Sequence, residues 1–226
     1  MFSFLEATSD IYQGHFGEFT ISKDDRREVV LYRGSMLIAA FTFALGAALF
    51  LFLGPQPYVL SWLTGLFMCF AVAVGVSLAT IHIYMSVLHR TLQLFWAVGS
   101  IVAVYITFTQ TSPLLEAIYN HPLNLFGVGW LFVALTGVFF KEAFCFNHGE
   151  TKLLTGVVPL LLLGHWLNWL PLMGEKVLLA AWTVLFVIFA SRKVMKPIPP
   201  DIGDKSVFEY LENKRQTSHE EQTATN

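Results

Sequence analysis

The sequence predicts an all-α fold, a polytopic membrane helix bundle of six transmembrane helices with both termini cytoplasmic. Three observations predict it. The 226 residues are 55% hydrophobic and only 13% charged, with a mean hydropathy of +0.58, whereas soluble domains carry about 25% charged residues. Six apolar runs of near-spanning length are separated by polar or Pro/Gly-rich segments. Of the 14 lysines and arginines, all but Lys176 fall on one flank if the runs alternate in direction. The positive-inside rule then puts that flank in the cytoplasm.

Residues 1–33 read as a cytoplasmic arm with a juxtamembrane helix, 34–193 as the six-helix transmembrane domain, and 194–226 as a cytoplasmic tail, partly disordered. Residues 1–21 show no helical periodicity and read as a loosely ordered arm. They lack the basic-then-apolar pattern of a cleaved signal peptide, so the first span is expected to be retained as the targeting signal. Ser22 is a candidate N-cap, with Asp24 and Asp25 in the first turn where a helix dipole favours acids. The helix from Lys23 to Arg33 either lies on the membrane surface or runs straight into the first span.

The runs are Gly34–Leu53, Tyr58–Tyr84, Leu92–Thr109, Leu123–Phe146, Leu153–Leu170 and Val177–Ala190. The last is short unless Leu172–Lys176 already lies at headgroup depth. Tyr58, Trp62, Tyr105, Tyr119, Trp166 and Trp169 would form the aromatic belt of the far face, with Tyr32, Tyr84 and Trp96 nearer the basic face. Small residues recur every four positions (Ala40, Ala44, Ala48; Ala71, Gly75, Ala79; Gly99, Ala103), ridges that let helices approach closely in lipid. Pro159 frees a carbonyl inside the fifth run and predicts a kink. Cys69 and Cys145 belong at different depths, so no disulfide is expected. In the tail, Ser206 with Glu209 resembles a capping box for a short helix through Asn213, and 216–226 read as disordered.

The stretch VFFKEAFCFNHGETK concentrates the chemically capable side chains. His82, His89, Arg90, Lys141, Glu142, Cys145 and His148 form a candidate polar cluster on the basic side, binding or structural in role. His82 and His89 are seven apart and would share a face of one helix. Glu142, Cys145 and His148 step by three along the fourth helix if it continues through Phe146. Glu142 is expected to pair with Arg90, Lys141 or a histidine and so pin neighbouring helices. A zinc or iron site from these ligand types is an alternative, although no Cys-x-x-Cys or His-Glu-x-x-His occurs. A surface for a protein, an anionic headgroup or a cofactor is another. His165 and Asn168, sharing a face of the fifth helix, form a candidate far-side vestibule near Glu116, His121 and Asn124.

No cofactor is expected. Bis-histidine haem fails because His165 lies roughly 18 Å in depth from the basic end that holds His82 and His89. A net charge of -2 argues against nucleic acid. No nucleophilic triad, phosphate loop or paired-carboxylate motif occurs. Few charges lie deep in any run, which argues against an ion pump. The partners expected are the lipid bilayer and other membrane proteins. The function classes left are a non-enzymatic partner-binding or organising factor, a small-solute transporter or permease, and a metal-dependent membrane enzyme.

The segments DDRREVVLYRGSMLIAA, IHIYMSVLHRTLQLFWA and above all LTGVFFKEAFCFNHGETKLLTGVVPLLLLGH resemble a family of uncharacterised integral membrane proteins typical of cyanobacteria, catalogued as a domain of unknown function. The likeness covers about residues 10–190, and KEAFCF is its most distinctive part. The resemblance implies a multi-span protein of the thylakoid or plasma membrane of a photosynthetic bacterium. It implies no activity.

Overall fold

A computed structural model describes residues 10–83, 85–207, 210–211 and 216. The described part of the chain opens with a hairpin, β1 (Ile11–Gln13) and β2 (Glu18–Thr20), where the sequence predicted a loose arm. Tyr12 and Phe19 face each other across the strands and stack at 5.6 Å, the kind of cross-strand pair that holds a short hairpin.

Ser22 caps α1 (Lys23–Leu53) through a reciprocal capping box with Asp25. The juxtamembrane helix and first span are therefore one continuous helix. Its 31 residues extend about 46 Å, well beyond the ~30 Å hydrocarbon thickness. α2 (Pro57–Thr80) and α3 (Ser86–Thr109) follow, then the short α4 (Leu114–Asn120). α5 (Pro122–Phe146) ends on left-handed Asn147. α6 (Gly149–Trp166), α7 (Leu172–Met195) and the single turn α8 (Pro199–Ile202) complete the described helices.

Five described helices, α1, α2, α3, α5 and α7, are long and apolar enough to cross a membrane. The chain is thus an all-α bundle with several candidate spans. α6, the fifth of the six expected, is not among the five. Glu150 and Lys152 open it, and Gly156, Pro159 and His165 dilute its leucines. The helix is continuous through Pro159. α7 begins at Leu172, which gives the last run the length it lacked in sequence.

The second run does not continue to residue 84. α2 stops at Thr80, whose hydroxyl turns back to donate to the Val76 carbonyl at 2.8 Å. The Leu78 carbonyl, left without a helical partner, is instead bonded by His89 Nε2 at 2.6 Å and by the Gln93 amide at 3.2 Å, both from α3. Side chains of the next helix thereby satisfy an orphan carbonyl of this one. Tyr84 lies outside the described residues, as do Glu209, Asn213 and all of 217–226, where the proposed capping box, short helix and disorder of the tail fall.

The core joins α1 to α7, with Phe70, Phe139, Trp182, Phe186 and Phe189 almost wholly buried. α3 seats on α5 at Gly99, where a Cβ would lie 2.3 Å from the Leu131 backbone nitrogen. It meets α2 where the Trp96 indole lies over Gly75 and donates to the Ala71 carbonyl at 2.7 Å. Two of the sequence's small-residue ridges are thus contact points. Of the aromatic positions, Tyr58, Trp62, Tyr105, Tyr119, Trp166 and Trp169 are exposed, while Tyr32 is buried. Cys69 and Cys145 are both free and exposed.

The described ends of the chain meet. His15 N–H donates to Asp204 at 2.6 Å, Phe16 N–H donates to the Ser206 hydroxyl at 3.0 Å, and the Phe16 ring stacks on Tyr210 at 4.1 Å. Beneath them Ile21, Val29 and Ile202 form a small separate core. Residues 198–206 are therefore packed against the start of the described chain.

Candidate functional site

At the end of the bundle that carries this cap lies a buried ionic network. Glu142, 1% exposed, sits on the face of α5 that meets α1 and α7. Tyr32 of α1 donates to its Oε1 at 3.0 Å, Lys141 approaches the same oxygen at 3.1 Å, and Lys193 of α7 lies 2.6 Å from Oε2. Lys193 also bonds Asp201 of α8, which accepts from Arg33 Nε at 2.7 Å. Arg33 completes its fork on the carbonyls of Lys196 and Pro197. Charges this deeply buried persist only when paired and hydrogen-bonded. Here each carboxylate has at least two donors, and α1, α5, α7 and α8 are tied at one point.

The expected polar cluster divides over this end. Lys141 and Glu142 are together in the network, bonded to each other along the same helix. His148 is displaced from their helical face by the left-handed Asn147 and lies against Arg192 and Lys196 at the end of α7. His82 belongs to the α2–α3 link and pairs with Glu28 of α1 at 3.2 Å. Burial pushes its imidazole below the usual range, with Glu28 pulling the other way. His89 caps α2, so the two histidines do not share a helical face. Arg90 and Cys145 are exposed. Among the described residues no group of three His, Cys, Asp or Glu side chains could hold a metal ion.

Sequence reasoning missed Tyr32, Arg33, Lys193 and Asp201. Arg33 and Lys193 were read as markers of topology. The available signal was that each borders an apolar run on the same flank as Glu142.

At the opposite end the bundle opens into a cleft of about 810 Å³, lined mainly by apolar side chains of α1, α2, α4, α5, α6 and α7. His165 is on its wall. One ring nitrogen lies 2.6 Å from Glu175 of α7 and the other 3.2 Å from the Tyr119 carbonyl of α4. Both neighbours are acceptors, so only the doubly protonated ring makes both bonds together. Tyr119 also donates to Glu175 at 3.2 Å, and its ring lies tilted against the imidazole at 4.4 Å. Asn168 does not share this face. It occupies the left-handed position of the turn ending α6, where Trp169 N–H bonds the Gly164 carbonyl and Asn168 N–H that of His165. Asn124 donates to the Ala117 carbonyl and braces α4 against α5. Deeper in the cleft stand Phe43, Phe70, Phe132 and Trp182. Trp182 is 2% exposed, and its indole nitrogen has no hydrogen-bond partner among the described residues.

A model of the family described as uncharacterized integral membrane protein (DUF2301) matches residues 76–210. No curated protein and no solved structure matches the chain.

Proposed function

The chain belongs to this family of integral membrane proteins, and from that premise we propose that it is a non-enzymatic binding protein whose working site is the far-end cleft, receiving a small apolar or amphiphilic molecule from the membrane. One observation carries the reading: a volume of about 810 Å³, within the range of ligand sites, combines aromatic walls with a few converging polar groups at His165, Glu175 and Tyr119. The residues in its wall are placed to bind and orient, and no nucleophile–base pair accompanies them. Organic extraction of protein purified in mild detergent, followed by mass spectrometry, should yield a defined compound. Filling the cleft with Gly46→Leu should lower its amount at equal protein yield. Identical extracts from both proteins, holding only bulk lipid and detergent, would remove the reading.

The reading includes six crossings with both ends cytoplasmic. Support comes from α6, whose first residues meet the end of α7 (Glu150–Arg192) and whose last turn meets its start (His165–Glu175), so the two helices traverse the same depth antiparallel. The thylakoid or plasma membrane of a photosynthetic bacterium is the compartment that the quoted segments suggest. Passage of the bound molecule across the bilayer, as in a permease, would use the same cleft. An organising role toward other membrane proteins is a second reading, favoured by the ordered cap of hairpin and tail at the basic end. Affinity purification that recovers a defined partner from the wild type but not from a chain lacking 10–20 would support it.

A further inference from the structure

His148 stands between two cations. Lys196 Nζ contacts its Nε2, and Arg192 Nη1 lies 3.2 Å from its Nδ1. A neutral imidazole accepts at one nitrogen only, and the other carries a hydrogen. Whichever tautomer is present, one contact therefore sets an N–H against a cationic donor. The region is also short of negative charge. Among the described residues, Arg33, Lys141, Arg192, Lys193 and Lys196 share three carboxylates, Glu142, Glu150 and Asp201. Lys196 has no carboxylate within ion-pairing distance among the described residues. Its ammonium rests on the Phe146 ring at 4.6 Å, which Lys193 also faces at 4.0 Å and Lys141 at 5.8 Å. Burial first, and then the neighbouring cations, push both His148 and Lys196 below their usual ranges. Next to them α6 begins, with His148 at its N-cap making no side-chain cap bond.

We infer that the corner formed by His148, Arg192 and Lys196 is a binding site for a phosphate group, carried by an acidic phospholipid or free in solution. A phosphate oxygen here accepts from the Lys196 ammonium, from Arg192 and from the hydrogen-bearing nitrogen of His148. It turns the donor-against-donor contact into charge-assisted hydrogen bonds. The corner lies just past the apolar run of α7, at headgroup depth on the cation-rich end, where basic pockets between helices meet anionic lipid. The Glu150 carboxylate lies 3.3 Å from Arg192 Nε, an ion pair without a hydrogen bond among the described residues. The site is separate from the cleft and does not depend on what the cleft holds.

Native mass spectrometry of protein in mild detergent, titrated with dioleoylphosphatidylglycerol, with dioleoylphosphatidylcholine or with inorganic phosphate, tests this. The wild type should prefer the phosphatidylglycerol by roughly tenfold, and R192Q/K196Q should lose that preference. The conservative K196R should keep it. The Arg33 bonds use backbone carbonyls of 196 and 197, so the double variant retains them, and an unchanged thermal midpoint in phosphatidylcholine checks the fold. Binding of inorganic phosphate to the wild type but not to the double variant, without lipid preference, assigns the site to the free ion. A wild type that distinguishes neither lipid and binds no phosphate overturns the inference. So does a double variant that keeps the full preference.

Discussion

The Lys193 ammonium lies 2.6 Å from the Glu142 carboxylate, and both side chains are almost completely shielded from solvent. Lys193→Met removes the cation shared by Glu142 and Asp201 and leaves two buried carboxylates short of a partner. The expected loss is about 3–5 kcal/mol, read as a lower thermal midpoint in nanodiscs. Glu142→Gln should cost less, because the amide still accepts from Tyr32. The two losses should be far from additive, since the groups form one network. Additive losses would mean that the pair is not coupled.

Asp204 joins the tail to the hairpin. The His15 backbone N–H and Ser206 hold its carboxyl below the usual value of 3.8. A depressed carboxyl contributes stability that is fully present above the unfolded pKa and is lost as pH falls through the folded one. The hairpin–tail contact should therefore be unchanged from pH 7 down to about pH 5 and loosen below about pH 4. Hydrogen exchange at 11–20 is the measurement. Asp204→Asn should make exchange there faster at pH 7 and less sensitive to acid.

Gly99 sets the distance between α3 and α5. A methyl group added there meets the Leu131 backbone, which cannot swing aside as a side chain tip does. Gly99→Ala should destabilise by about 1–3 kcal/mol, and Gly99→Val by more. The adjoining Ala103 is equally buried, so Ala103→Leu should act in the same direction. Detergent melts that show no change in either variant would mean that the helices do not meet at this ridge.

His89→Leu leaves the Leu78 carbonyl with the Gln93 amide alone, and the double change with Gln93→Leu leaves it with neither. The double variant should lose about 1–3 kcal/mol and fray the end of α2. Labelling of a cysteine placed at Thr80 should then become faster. Equal labelling rates in the parent and the double variant would count against the cap.

Much of the architecture was legible because apolar runs report their solvent directly. Leu123–Phe146 and the Ser22 N-cap correspond closely to α5 and the start of α1. The break after Thr80 was not legible, because it depends on His89 and Gln93 reaching back from the next helix. The hairpin rests on the tail as much as on its own strands, so local periodicity at Ile11–Thr20 could not reveal it. The site divides likewise. Glu142 and Lys141 adjoin an apolar run and stand out. Which cation faces Glu142 is set by the packing of α7 against α1 and α6, and no spacing in the chain encodes that.

Arg33 and Asp201 are 168 positions apart, and both are buried in their mutual contact. On the ribosome the first helix thus reaches the bilayer long before its counter-charge has been made. Glu142 likewise waits for Lys193. Until residues 193–201 are made, Arg33 lacks its carboxylate and Glu142 has only Lys141 as an answering cation. Translation arrest before residue 193 should leave a species that quality-control proteases recognise, and synthesis of residues 193–201 is then the step that seals this end of the bundle.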